Sequence, residues 1–87
     1  MSKSGKVYKL VSRQDFEGND KELLEVNKQA DYIFQWLEID SCAIIVNINK
    51  HIDHSGIRTS YVTSIIEEEN SLIIGTRNTV YRFDLKK

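Results

Sequence analysis

"DKELLEVNKQADYIFQWLEID", residues 20–40, is the clearest element of the chain, and its period decides the fold class. Leu23, Val26, Ala30, Ile33 or Phe34, and Leu37 recur at three- and four-residue spacing, which on a helix forms one apolar stripe. Lys21, Glu25, Lys28, Asp31 and Glu38 fall largely on the other side. Glu17–Lys21 and Glu25–Lys28 have spacings suited to charge pairing if both members are helical. Asn19, three residues before Glu22, resembles a capping box. The spacing therefore predicts an amphipathic helix over 20–40. Tyr32 and Trp36 lie beside the stripe, where they either close the rim of the core or form a partner-binding face.

Outside this segment the period is two. "GKVYKLVS" (5–12) is β-branched and aromatic with rough alternation and reads as a first strand, followed by turn chemistry in "RQDFEGND". Beyond Ser41, "CAIIVNINKHI" (42–52) sets Ile44, Val46 and Ile48 on one face and Ile45, Asn47 and Asn49 on the other. Three further runs, 57–68, 71–76 and 79–85, are joined by "EEEN" and "RN", short enough for hairpins. Asn78 suits the left-handed conformation of a tight turn, or the turn shifts to "GTRN". The expected class is α+β: one amphipathic helix on a mainly antiparallel sheet of four to five strands, in the order β-α-β-β-β-β. It fills 1–87 as a single domain, with residues 1–4 expected to be flexible. One helix leaves the second sheet face open. That face offers Asn47, Asn49, Thr59 or Ser60, Thr63 and Arg82 beside Ile45 and Tyr61 or Val62, a half-apolar surface that suggests a homo-oligomer.

Composition narrows the function classes. The 87 residues carry 12 basic and 13 acidic side chains, a balance unlike that of domains that grip nucleic acid by counterion release. Cys42 is the sole cysteine, so there is no disulfide framework and no CxxC knuckle. "MSKSGK" lacks the apolar run of a signal peptide, and Ala43–Val46 is too short to span a bilayer. A cytoplasmic protein with no membrane association is expected.

No catalytic set assembles in the sequence. His51 and His54 flank Asp53 in "HIDHSGIRTS" (51–60), but zinc needs three or four ligands and no matching pair follows. The loop reads as a polar connection or a ligand-facing turn rather than a metal site. The four glycines are isolated, which excludes a phosphate-cradling loop, and no residue stands in a nucleophile elbow. Hence no enzyme, metal or cofactor is expected. Two donor-rich strand ends remain: Arg58 and Ser60 in "RTS", and Arg77 and Asn78 in "TRNT". Guanidinium forks beside hydroxyls and an amide suit a phosphate or carboxylate, although arginines also blunt strand edges. In an oligomer the two ends would converge across an interface. A separate basic patch of Lys3, Lys6, Lys9, Arg82, Lys86 and Lys87 with Tyr8 and Tyr81 interleaved would suit single-stranded nucleic acid.

The C-terminal third, "RTSYVTSIIEEENSLIIGTRNTVYRFDL", resembles small bacteriophage-encoded accessory proteins. The resemblance rests on Arg58, Thr59, Ser60, Val62, Ile65, Thr76, Asn78, Thr79, Tyr81 and Phe83. Such proteins include Thoeris anti-defence proteins, which sequester cyclic nucleotide signals as oligomers, and anti-CRISPR proteins, which block an effector by direct binding. The resemblance implies a non-enzymatic, phage-encoded inhibitor acting in the host cytoplasm as a homo-oligomer. Its target would be a host protein, met through Tyr32 and Trp36 or the sheet face, or a phosphorylated signalling molecule held by Arg58, Arg77 and Asn78. The alternative is a small nucleic-acid-binding module built on the first and last strands.

Overall fold

Tyr32 and Phe34 stand two residues apart and are both buried. A strand allows this, whereas a helix would turn them about 200° from each other. The computed structural model describes residues 6–49 and 56–86, so residues 1–4 and the histidine pair of the 51–54 loop lie outside the described residues. Its elements are β1 (Tyr8–Gln14), β2 (Asp20–Lys21), α1 (Glu25–Gln29), β3 (Tyr32–Trp36), β4 (Cys42–Asn47), β5 (Gly56–Glu67), β6 (Ser71–Thr76) and β7 (Val80–Leu85).

The long helix expected over 20–40 does not form. Only five residues are helical, starting after Leu24 without a side-chain cap and closing with Ala30 N–H donating to Val26 O at 3.0 Å. Asn19, expected to cap it, belongs instead to the β1–β2 turn. There Asp15 Oδ1 accepts the backbone N–H groups of Glu17 and Asn19, both at 2.9 Å, and Gly18 takes a left-handed φ of 86°. "YIFQW" is an aromatic and β-branched run, and its strand propensity prevails once Tyr32 and Phe34 have a shared core to face.

All strand pairings are antiparallel, in the order β2-β1-β3-β4-β5-β6-β7. The sheet has seven strands rather than four to five, and it does not need a helix to cover it. It curls until β1 pairs with β7 from Tyr8↔Leu85 to Gln14↔Val80 and also meets β3 at Tyr8↔Tyr32. Closure removes open edges and wraps the sheet around its own core. That core runs through Tyr8, Leu10, Phe34, Ile45, Leu72, Ile74 and Phe83. Phe34 meets Tyr8 and Phe83 edge-on, with ring centroids 5.2 and 5.0 Å away. The face of β4 expected to be more apolar points outward: Ala43 and Ile45 are buried, while Ile44 is exposed.

Three bulges reset the alternation where it matters. On β1 an extra residue between Leu10 and Ser12 lets Arg13, opposite Tyr81, share the inner side with Leu10, opposite Phe83. On β3 the shift between Phe34 and Trp36 turns Phe34 inward and leaves Trp36 exposed. On β5, Arg58 pairs with Ile44 and Tyr61 with Cys42, so two residues oppose Ala43 alone. The backbone N–H of Ala43 is satisfied by Thr59 Oγ1 at 2.9 Å. Thr59 and Val62 therefore point inward and Arg58 and Tyr61 outward, which resolves both either-or positions of this strand.

One carboxylate is buried with its charge compensated. Asp31, between α1 and β3, has Lys86 Nζ 2.8 Å from Oδ2 and Lys9 Nζ 2.8 Å from Oδ1, with Asn49 Nδ2 donating to Oδ2 at 3.2 Å. The Lys86 ammonium first, and Lys9 next, hold the carboxyl well below the usual carboxylate range. The cluster ties β1 and the residue after β7 to the start of β3. Among the described residues, no helix is long and apolar enough to cross a membrane.

Candidate functional site

The outer surface of β3, β4 and β5 carries a cross-strand row made by the bulges: Trp36 opposite Ile44, and Ile44 opposite Arg58. Trp36 is 43% exposed, Ile44 39% and Tyr61 50%, unusually open for large apolar side chains set side by side. With Asp40, Ser41 and Cys42 they line a shallow groove of about 450 Å³. Several parts are held in place. Trp36 Nε1 donates to Ser41 Oγ at 3.1 Å, which fixes the indole plane. The Arg77 guanidinium lies over the Tyr61 ring at 5.3 Å, and Arg77 N–H donates to Tyr61 O at 3.1 Å. Asp40 adopts a left-handed φ of 66°, and its N–H donates to Val62 O at 2.8 Å, closing the turn between β3 and β4 onto β5.

A second depression of about 300 Å³ shares Arg58 with the groove and opens toward the inside of the sheet. Arg13, Leu24, Asn27, Gly56, Ile57, Arg58 and Tyr81 line it. Arg13 sits over the Tyr81 ring at 5.8 Å, and its Nε is buried with no hydrogen-bond partner. A buried donor left unsatisfied costs about 1–3 kcal/mol. Among the described residues no carboxylate belongs to this lining. Asn27 is buried and donates through Nδ2 to Tyr32 Oη at 2.9 Å. Gly56, at φ 129°, lies so close to β4 that an added Cβ would fall 2.2 Å from Ile45 O, so this wall requires glycine.

The expected site residues divide accordingly. Arg58, Arg77 and Trp36 come together on one surface within a single chain, joined through Tyr61, without needing a second copy to bring the arginines near each other. Ser60 and Asn78 line neither depression. Asn78 is exposed in the β6–β7 hairpin, where no left-handed residue occurs. Thr76 closes that turn instead, its N–H donating to Thr79 O and its Oγ1 both donating to Thr79 O and accepting Thr79 N–H. Tyr32 is not a surface residue: it is wholly buried, with burial raising its hydroxyl above the ordinary tyrosine value.

The basic patch expected at the first and last strands also changes character. Lys9 and Lys86 are committed to Asp31, Tyr8 lies in the core at 3% exposure, and Tyr81 packs on Phe83. Bases have no ring to stack on there; Lys3 and Lys87 lie outside the described residues. Among the described residues no three His, Cys, Asp or Glu side chains converge as metal ligands.

Sequence reasoning missed Arg13 and offered Tyr61 only as an alternative to Val62 on the open sheet face. Each is an aromatic or cationic residue in a strand, but the faces they occupy depend on bulges that no composition signal marks. No family model, curated protein or solved structure matches the chain.

Proposed function

We propose that the protein is a non-enzymatic binding protein that blocks a partner protein stoichiometrically through the outer face of β3–β4–β5. The carrying observation is the exposed row of Trp36, Ile44 and Arg58 with Tyr61 and Arg77 beside it. Tryptophan, tyrosine and arginine are the residues most enriched where binding energy concentrates in protein interfaces. Trp36 and Tyr61 bring apolar area on side chains with few rotatable bonds, already restrained by Ser41 and Arg77. Arg58 and Arg77 select a partner surface bearing carboxylates, and Asp40 at the groove edge discourages a uniformly acidic one. The groove is open and shallow, as suits a flat protein surface rather than an enclosed metabolite.

Blocking or sequestering a target is also the mode of action of the phage accessory proteins that the C-terminal third resembles. The self-association expected from the sequence falls on the sheet face that carries Ile45, which is buried, so a second copy would have to use the exposed Ile44 face instead, and the solution mass of the free protein shows whether one does.

The test is a differential pull-down from a cell extract treated with nuclease, using wild type, Trp36→Ala and Arg58→Glu beside the distant surface variant Ile66→Ala. A partner held by wild type and Ile66→Ala but lost by the other two supports the reading. Capture that is identical in all four, or capture of nucleic acid alone when nuclease is omitted, removes it.

A further inference from the structure

Arg13 is the one arginine turned to the inner side of the sheet, and it arrives there through the β1 bulge. Its Nε is buried without a hydrogen-bond partner, and its guanidinium is in contact with the face of Tyr81. Arg58, whose strand position faces outward, also lines the same 300 Å³ cavity, and neither arginine makes an ion pair among the described residues. In a chain of net charge −1, two arginines line one recess with no carboxylate among its described lining residues, an arrangement that does nothing for stability by itself. The rest of the lining is apolar or amide: Leu24, Ile57, the Tyr81 ring and Asn27.

We infer that this cavity is a binding site for a small oxyanion, a phosphate or carboxylate group carried on a compact apolar or aromatic body. Guanidinium groups present several N–H donors in a planar fork that matches both oxyanions. Arg13 Nε supplies a donor that is already stripped of water, so an incoming acceptor oxygen satisfies it without further desolvation of the protein. Tyr81 restrains the Arg13 fork, and Leu24 and Ile57 provide the apolar wall for the attached body. Because Arg58 belongs to both recesses, an occupied cavity draws its guanidinium away from the outer groove. The small ligand and the protein partner then compete for one side chain, and each weakens binding of the other by the same factor. The cavity site stands independently of the partner-blocking reading; only this coupling rests on it.

The experiment is an NMR titration of the full chain at constant ionic strength with inorganic phosphate, phenyl phosphate, benzoate and adenosine monophosphate. It is run on wild type, Arg13→Met, Arg58→Met and Arg77→Met, with amide spectra reporting that each variant is folded. The expected result is saturable shifts at Arg13, Leu24, Ile57 and Tyr81. Phenyl phosphate should bind at least tenfold more tightly than inorganic phosphate, Arg13→Met and Arg58→Met should each lose at least tenfold, and Arg77→Met should match wild type. Benzoate against phenyl phosphate identifies which oxyanion the fork prefers, and adenosine monophosphate shows whether a nucleotide fits. No saturable shift with any probe overturns the inference. So does binding unaffected by Arg13→Met, or binding lost only in Arg77→Met, which would place the anion on the outer face. The outcome is independent of the pull-down, so failure of one is distinguishable from failure of the other.

Discussion

Two charged clusters occupy opposite ends of β1. Near its start, Lys9 joins Lys86 around Asp31, and the two cations enclose a carboxylate that is almost fully shielded from water. Toward its end, Arg13 faces a cavity that Arg58 also lines, with no carboxylate among the described lining residues. The first cluster is matched in sign, with Asp31 Oδ2 accepting from Lys86 and Asn49 and Oδ1 held in an ion pair by Lys9, so it fastens the closing strand and the chain end to β3. The second leaves a buried donor unmet. A fold that solves the electrostatic problem at one end and leaves it open at the other separates structural charge from charge held ready for a ligand.

Removing the matched cluster should have the largest effect. Asp31→Ala leaves Lys9 and Lys86 in mutual repulsion and deprives Asn49 Nδ2 of its carboxylate acceptor; it should cost roughly 1–3 kcal/mol in urea denaturation. For a domain of this size each kcal/mol lowers Tm by about 4–8 °C. Acid should act on the same group. Asp31 has a depressed folded pKa, so its contribution is complete above the unfolded carboxylate value of about 3.9 and disappears as pH falls below it toward the folded value. Denaturation midpoints of wild type should therefore fall below about pH 4 more steeply than those of Asp31→Asn, and parallel slopes would reassign the acid sensitivity.

The unmatched cluster should respond with the opposite sign. Arg13→Met keeps the apolar stem over Tyr81 and deletes the unsatisfied donor, so it should leave stability unchanged or raise it by up to about 1 kcal/mol. A loss as large as that of Asp31→Ala would erase the distinction between the two ends. The smallest effect belongs to Arg77→Ala, whose guanidinium rests on an exposed ring; a change within about 0.5 kcal/mol in the same assay is expected.

The C-terminal strands were legible in the sequence because their alternation is framed by turn residues. The runs 57–68, 71–76 and 79–85 coincide closely with β5, β6 and β7. Residues 20–40 misled because their apolar positions satisfy a period of 3.6 as well as they satisfy a short helix followed by a strand. Only the partners of Tyr32 and Phe34, supplied by β4, β7 and β1, select the second arrangement. The functional surface was half visible for a related reason. Arg58, Arg77 and Trp36 stand out by residue type, but which way Arg13 and Tyr61 point depends on single-residue insertions opposite Phe83–Tyr81 and Ala43. A bulge inverts every later position on its strand and leaves no compositional trace. The sheet's closure through β1 and β7 was equally hidden, since nothing local to either strand announces the other.

The most direct measurement is the urea midpoint of wild type and Arg13→Met, each with and without saturating phenyl phosphate at matched ionic strength. A ligand that binds only the folded state raises the midpoint in proportion to how far its concentration exceeds Kd. Charge held ready at the open end predicts that phenyl phosphate stabilises wild type while leaving Arg13→Met unmoved. No stabilisation of wild type, or equal stabilisation of both, would contradict it.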